Sequence, residues 1–189
     1  MVKKIKLLIL GISLSFSSMA QLPLSDSFPK GSLSLRTNIP SLVLLIPSIG
    51  MEYKTSDQFA LILDGGYSHW NFKRNDKDNY WRHWYLQPQI RKYVNPNKDA
   101  YIGLQGIIGE YNISTEQGRY TGGGFAFGKQ YYAGKKLLID IGLTLGYMRI
   151  SHLDKMMQSD GQFYRTDAPK AHDYFGPTSI SITLQRKVN

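Results

Sequence analysis

Four histidines are the side chains of this 189-residue chain that are most able to bind a metal ion. Zinc ligands often stand in close pairs such as His-x-His or His-x-x-x-His, or among cysteines. None of these pairs occurs here, and the chain has no cysteine. We therefore expect neither a metal ion nor another cofactor at His69, His83, His152 and His172.

Ser151, His152 and Asp154 bring the residue types of a serine hydrolase together in one short segment. Such an enzyme needs a histidine within hydrogen-bonding reach of the serine and an acid that orients the histidine. Adjacent residues of a β-strand point to opposite faces, and Ser151 directly precedes His152. The chain also has no Gly-x-Ser-x-Gly motif. We therefore expect a protein that is not an enzyme.

The first twenty residues have the layout of a secretory signal peptide. Three lysines precede a short apolar run, and small residues stand at Ser18 and Ala20. The apolar run is about half of the roughly 20 residues that a membrane helix needs. We therefore predict a signal peptide at residues 1–20, cleavage between Ala20 and Gln21, and one mature domain at residues 21–189. Cleavage lowers the formal charge from +9 to +6, and because the basic residues are scattered, we expect no nucleic-acid partner.

Polar and apolar residues alternate with a period of two along most of the mature chain. In residues 137–150, for example, Ile139, Ile141 and Leu143 alternate with Asp140 and Gly142. This period is typical of strands that place alternate side chains on opposite faces. The pattern predicts eight strands, at residues 31–39, 49–54, 59–72, 84–91, 100–114, 121–133, 137–150 and 178–188.

The connections between these strands alternate in length. Compact turns are predicted at residues 55–58, 95–99 and 134–136, and longer links at residues 40–47, 73–80, 115–120 and 151–175. An even number of strands, with short turns on one side and longer loops on the other, is typical of outer-membrane barrels. The sequence therefore predicts an all-β fold, an eight-stranded antiparallel up-and-down transmembrane β-barrel with strands of roughly 9–11 residues.

The composition of the two strand faces favours a membrane barrel over a soluble lipocalin-like cup. A soluble cup would carry Lys and Glu on its outward face, whereas the polar face here is rich in Gly, Ser, Thr and Gln. Aromatic residues near the predicted strand ends are expected to form girdles at the lipid head groups. These residues are Tyr53, Tyr67, Trp70, Trp81, Trp84, Tyr85, Tyr93, Tyr101, Tyr111, Tyr131, Tyr132 and Tyr147.

Charged and polar residues fall on the inward face of the predicted strands by the same alternation. They could line a gated pore or form a network that holds a narrow barrel together. Because eight strands leave room only for side chains, we expect a polar interior network and no pore. Its predicted members are Arg36, Glu52, Lys54, Asp64, Gln89, Arg91 and Asp140.

Several segments resemble one family of small outer-membrane barrels from Bacteroidota, classified as of unknown function and often encoded beside fimbrial genes. The resemblance rests on residues 36–39, 50–53, 67–70, 82–91 and 122–128, and it covers nearly the whole mature chain. The family commonly has glutamate at the position of Gln89. If that carboxylate pairs with the residue at the position of Arg91, Arg91 here needs another partner, for which Glu52 and Asp64 are candidates.

The resemblance and the predicted fold together indicate an outer-membrane protein with a structural or interaction role in the cell envelope. The resemblance implies a link to fimbria assembly. Expected partners are membrane lipid, lipopolysaccharide, and envelope or fimbrial proteins that bind the predicted loop at residues 151–175. An alternative is an outer-membrane enzyme that modifies lipid A by deacylation or acyl transfer. A further alternative is a periplasmic cup that binds a small ligand.

Overall fold

A computed structural model of the chain describes residues 28–74, 77–134, 136–157, 163–165, 168 and 170–188. Along these residues the elements are β1 (Leu33–Asn38), α1 (Ile39–Val43), β2 (Ser48–Lys54), β3 (Phe59–Arg74), β4 (Lys77–Tyr93), β5 (Ala100–Ile113), β6 (Glu116–Gly134), β7 (Leu137–Met157), β8 (Phe163–Arg165) and β9 (Lys170–Lys187). No helix in this part of the chain is long and apolar enough to span a membrane. The signal peptide expected at residues 1–20 lies outside the described residues.

Eight of the strands form a closed antiparallel ring. Strands β1 to β7 pair in chain order, β9 pairs with β7, and β1 pairs with β9 to close the ring. The short strand β8 lies outside the ring and pairs with the end of β7. The eight-stranded, antiparallel, up-and-down arrangement predicted from the sequence is therefore confirmed, and β8 is an addition that the sequence did not indicate.

The two faces of the ring differ sharply in polarity. On β7, the inward Asp140 and Thr144 are almost completely buried, whereas the outward Ile141, Leu143 and Leu145 are 38–42% exposed. The same division holds on the other strands. We call the exposed apolar side chains of the outer face the outer belt. Its members are Leu35, Ile49, Met51, Leu61, Leu63, Leu86, Ile90, Ile102, Leu104, Ile108, Phe125, Phe127, Ile141, Leu143, Leu145, Ile180, Ile182 and Leu184.

Three of the predicted long loops are wrong, because their residues lie largely in strands. Strand β3 continues to Arg74 and β4 begins at Lys77, where the sequence predicted a loop at residues 73–80. Strand β6 begins at Glu116, inside the loop predicted at residues 115–120. Strands β7 and β9 likewise take up much of the loop predicted at residues 151–175. These stretches lack apolar alternation because they lie beyond the outer belt.

The strands consequently differ in length, and most exceed the predicted 9–11 residues. Strands β3 to β7 and β9 have 14 to 21 residues, whereas β1 has six and β2 has seven. We call the end of the ring with the compact connections at residues 55–58 and 94–99 the turn end, and the opposite end the open end. Because β1 and β2 stop early, the ring is complete only toward its turn end.

Among the residues that the structure describes, an opening two strands wide interrupts the wall toward the open end. The pairing of β3 with β2 ends at Gly66, opposite Ser48, and the pairing of β9 with β1 ends at Thr183, opposite Asn38. Beyond these points β3, β4, β5, β6, β7 and β9 continue as a six-stranded wall. We call this opening the gap. The helix α1, with Pro40 in its first turn, lies between the ends of β1 and β2, within the apolar link expected at residues 40–47.

Seven of the twelve aromatic residues expected in lipid-facing girdles lie on the inner face instead: Trp70, Trp81, Tyr85, Tyr93, Tyr101, Tyr111 and Tyr132. Tyr85, Tyr93 and Tyr101 are 2–8% exposed, and Tyr93 and Tyr101 pack against Ala60. Proximity to a strand end does not fix the side on which a residue lies, whereas the alternation along the strand does. Tyr85 and Tyr93 stand an even number of positions from the inward Arg91 on β4, so the period of two predicts that they also point inward.

Candidate functional site

The seven residues predicted to form an interior polar network all lie on the inner face of the ring. Six of them are 0–8% exposed, and the side chain of Asp64 is 24% exposed. They come from five strands: β1, β2, β3, β4 and β7. Because each strand presents alternate residues inward, charges far apart in sequence meet at one level.

Arg91 is the most deeply enclosed cation of the network. One nitrogen, Nη1, lies 2.5 Å from Asp140 Oδ2 and 3.4 Å from Glu52 Oε2. Its other terminal nitrogen, Nη2, donates to Gln89 Oε1 at 2.7 Å. Glu52 is one of the two partners that the sequence suggested for Arg91, but Asp140 is the nearest acid. Gln89 accepts a hydrogen bond from Arg91 through its uncharged amide oxygen.

Arg36 links the same carboxylates from the neighbouring part of the ring. Its guanidinium lies 3.1 Å from Glu52 Oε2, 3.1 Å from Asp64 Oδ1 and 3.5 Å from Asp140 Oδ2. Asp64, the second partner suggested for Arg91, therefore pairs with Arg36. Two arginines and three acids thus form one continuous cluster, and each arginine contacts both Glu52 and Asp140.

Two tyrosines that sequence reasoning assigned to the outer face complete the cluster. The hydroxyl of Tyr93 donates to Glu52 Oε1 at 2.5 Å, and that of Tyr101 donates to Asp140 Oδ1 at 2.8 Å. The guanidinium of Arg91 also lies 3.7 Å from the centre of the Tyr101 ring. Each buried carboxylate therefore has both oxygens in contact with a donor, which offsets much of the cost of removing its charge from water.

Below this cluster, toward the turn end, the interior closes on aromatic and amide side chains. The ammonium of Lys54 lies 4.3 Å from the centre of the Tyr93 ring and 6.0 Å from that of Phe28, and Phe28 packs against Leu138. Gln130 donates to Glu52 Oε2 at 3.4 Å. These contacts fill the cross-section of the ring with side chains.

The family model described as "Protein of unknown function (DUF3575)" matches residues 6–185, which is nearly the whole chain. The chain belongs to this family. A search of curated proteins and a search of solved structures each gave no match. The family assignment carries no activity, so the function of this DUF3575 protein has to be argued from its own geometry.

The interior cluster of this DUF3575 protein joins strands β1, β2, β3, β4 and β7 through ion pairs and leaves little free volume. The two arginines of the cluster, together with Lys54 directly below it, balance the three anions Glu52, Asp64 and Asp140. The cavity directly above it has a volume of about 20 Å³, which admits little more than one water molecule. In the described part of the chain no group of three or more acidic or histidine side chains is placed to hold a metal ion.

The histidines lie closer to the open end and do not form a catalytic pair with Ser151. On β7, Ser151 stands opposite Arg119 on the outer face, and His152 stands opposite Gly118 on the inner face. The ring of His152 contacts that of His172, with 5.4 Å between their centres. His83 Nε2 lies 2.8 Å from the hydroxyl of Tyr120.

A cavity of about 550 Å³ lies inside the open-end wall, beyond the charge cluster. Three histidines, two tyrosines and a few apolar side chains line it, and none of them was predicted as a site from the sequence. The lining includes His83, Ile107, Tyr111, Glu116, Tyr120, Met148, Ile150, His152, His172 and Thr178. Ile107, which breaks the apolar alternation of the outer face, is accounted for by this inward position.

Proposed function

We propose that this protein is a non-enzymatic outer-membrane β-barrel with a structural or interaction role in the cell envelope. The main observation in support is the difference in polarity between the two faces of the ring. Its outer belt is apolar and exposed, and its inner face is charged, hydrogen-bonded and buried. A soluble eight-stranded cup has the opposite arrangement, so the molecule as described would expose its apolar belt to water, and a lipid bilayer is the solvent that removes this cost.

The height of the outer belt supports a membrane-spanning position. On β7 the outward residues from Leu137 to Tyr147 are apolar or aromatic, which is ten residue steps. At about 3.3 Å per step and a strand tilt of about 35–45°, the belt is about 25 Å high, as in outer-membrane barrels. From the turn end up to the pairs Ser48–Gly66 and Asn38–Thr183 the ring is closed, so this part of the belt leaves no strand edge in lipid.

The borders of the belt carry residues that suit lipid head groups. Toward the open end, Trp84 and Tyr67 stand opposite each other on the outer face of β4 and β3, and amphipathic rings favour this depth. Toward the turn end, the outward positions that follow the belt are cationic: Lys92, Lys129 and Arg186. Membrane phospholipid and lipopolysaccharide are therefore the partners that we propose for the outer face.

The interior supports a structural rather than a conducting or catalytic role. The charge cluster fills the ring at the level of Arg91, and Ser151 and His152 lie on opposite faces of β7. We place the interaction surface at the open end, where the strands that replace the predicted loop at residues 151–175 extend beyond the belt. A link to fimbria assembly is part of the proposal and rests on the resemblance noted in the sequence.

Fractionation of cells that produce the full chain tests the membrane assignment. We expect the mature protein, starting at Gln21, in the outer-membrane fraction, resistant to extraction with urea and shifted in gel mobility on heating. A chain without residues 1–20 is the matched control and should remain inside the cell. Recovery of most of the full chain in the periplasmic wash would exclude the barrel and favour the soluble cup.

Mass spectrometry of lipid A separates the proposed function from the enzymatic alternative. We expect the same lipid A masses in cells with the protein, without it, and with His152→Ala. Loss of an acyl chain, or gain of one, that depends on His152 would overturn the non-enzymatic assignment while leaving the membrane assignment intact.

A further inference from the structure

The edge of β3 that faces the gap has no neighbouring strand in the described part of the chain beyond its last contact with β2. That contact is the hydrogen bond from the backbone N–H of Tyr67 to the carbonyl of Pro47, at 3.0 Å. The other edge of β3 remains paired with β4 beyond this point, for example His69 opposite Arg82 and Asn71 opposite Tyr80. The strand is therefore held in an extended form by one neighbour only.

Alternation of the antiparallel ladder identifies the backbone groups that face the gap. In such a ladder the N–H and C=O of one residue point to the same side, and those of the next residue point to the other side. Because the N–H of Tyr67 points toward β2, the backbone groups of His69 and Asn71 point into the gap. Together with the carbonyl of Tyr67 they present donors and acceptors at the spacing of a strand.

The two strands that border the gap differ in how well they can accept another strand. Strand β9 carries Gly176, with a φ of +151°, next to Pro177, and its register shifts opposite Leu145. Proline and irregular pairing are devices that protect sheet edges from added strands. The segment 67–72 of β3 has no proline, glycine or formal charge, so its edge lacks this protection.

Side chains along this part of β3 define the kind of segment that would fit. Trp70 and Phe72, on the inner side of the wall, are 45% and 50% exposed. Trp70 Nε1 donates to the carbonyl of Leu45 at 2.6 Å, which fixes the indole at the base of the gap. The outer side carries His69 and Asn71, which are polar. A segment paired here would meet apolar side chains on one face and polar side chains on the other.

We propose that the β3 edge at residues 67–72 is a docking site for an extended segment of a partner protein, which adds to the sheet as a strand in the gap. The partner segment alternates apolar and polar residues, with its apolar side chains on Trp70 and Phe72. Backbone hydrogen bonds to His69 and Asn71 fix the register of the partner segment against β3, as in other cases of strand addition. The proposal rests on the proposed function in one respect: membrane insertion places this edge outside the lipid, accessible from water.

A second copy of the chain does not fit this site. Two copies in one membrane are related by an axis along the membrane normal, and strands in such barrels tilt by about 35–45°. Two facing β3 edges would run in the same general direction and cross at about twice that tilt, which prevents a continuous ladder. The occupant is therefore a segment of a different chain.

Site-specific photocrosslinking in intact cells tests this site. A benzophenone amino acid replaces His69 in one variant and Gln117 in another. Gln117 lies at the same level of the wall as His69, because His69 stands opposite Arg82, Arg82 opposite Asn112, and Asn112 opposite Gln117. Its strand, β6, is paired on both sides. We expect one discrete crosslinked protein from position 69 and none from position 117, with the crosslinked peptide mapping to a segment of alternating apolar and polar residues.

Substitution of Asn71 then tests whether the partner segment binds through backbone hydrogen bonds, as an added strand must, or through side chains alone. Asn71→Pro removes the N–H that faces the gap, whereas Asn71→Ala keeps it, and neither alters the N–H groups that pair with β4. Loss of one such hydrogen bond, with its partner carbonyl left unpaired, should lower the crosslinked product roughly tenfold in Asn71→Pro but not in Asn71→Ala.

Outer-membrane location and heat-shifted mobility of each variant are measured in the same cells, so a failure to fold or insert is distinguished from a failure to dock. In correctly inserted protein, the absence of a product from position 69, or a product that Asn71→Pro leaves unchanged, would overturn the docking site.

Discussion

The hydroxyl oxygen of Tyr101 lies 2.7 Å from the point at which a β-carbon on Gly142 would stand. A carbon and an oxygen cannot approach so closely without displacement of one of them. Tyr101 also donates from this hydroxyl to Asp140, so the absence of a side chain at residue 142 allows the tyrosine to reach the charge cluster. A glycine on β7 thus sets the position of a tyrosine on β5.

Gly142→Ala should therefore destabilise the folded ring. Overpacking of this kind costs about 1–3 kcal/mol, and displacement of Tyr101 would add the loss of its bond to Asp140. Gly106→Ala is the matched control, because the nearest atom to its added β-carbon is 3.5 Å away, on Pro88. Urea unfolding in detergent should show a lower midpoint for Gly142→Ala only. Equal midpoints would mean that the interior adjusts freely around residue 142.

Arg91→Ala removes the cation that joins Asp140, Glu52 and Gln89. Because two acids would remain buried with fewer counter-charges, we expect a loss of about 3–5 kcal/mol in the free energy of unfolding. Arg186→Ala, at an exposed outward position, should change it by less than about 0.5 kcal/mol. The urea midpoint of the refolded protein measures both variants. An unchanged midpoint for Arg91→Ala would show that the cluster does not support the fold.

Tyr101→Phe keeps the aromatic ring over Arg91 and removes only the hydroxyl that donates to Asp140. A hydrogen bond to a buried charged group contributes about 1.5–3 kcal/mol, and we expect a loss of that size. Tyr147→Phe is the control, since its hydroxyl donates to Asp173 on the exposed outer face and should contribute little. If the two substitutions have the same effect on unfolding, the Tyr101 hydroxyl is not a significant part of the cluster.

Leu143→Arg places a charge at the middle of the outer belt. If the belt spans a bilayer, this substitution should cost about 2–4 kcal/mol in the free energy of folding into lipid vesicles. Tyr147→Arg, at the border of the belt, should cost no more than about 1 kcal/mol. The comparison tests how deeply each position lies in the bilayer, because both substitutions add the same charge to the same strand. A cost that does not depend on position would contradict insertion of the belt.

The inward placement of Arg36, Arg91 and Asp140 could be predicted from the sequence because strand alternation has a period of two. Once one residue of a strand is placed, the sides of all the others follow. The same rule would have placed Tyr93 and Tyr101 inside. Both tyrosines lie near strand ends, but proximity to a strand end carries no information on the side to which a residue points, so the girdle prediction is wrong for them.

The contacts within the cluster could not be predicted in the same way. Which acid lies nearest to Arg91 depends on how far neighbouring strands are staggered around the ring, and alternation carries no information on stagger. The extent of β3 and β4 beyond the belt was missed for a different reason. In residues 73–80 both faces of the strands carry mostly polar and charged residues, so this stretch has the composition of a loop although β3 and β4 together include most of it.

The charge cluster also has a consequence for the order in which the molecule can assemble. Arg36 lies on the first strand of the ring and Asp140 on the seventh, and they lie 3.5 Å apart only when β9 has joined β1. Any incompletely closed sheet therefore holds unbalanced ions that favour solvation by water over transfer into lipid. Closure and neutralisation coincide, so partly assembled intermediates are disfavoured and the folding transition is expected to be cooperative.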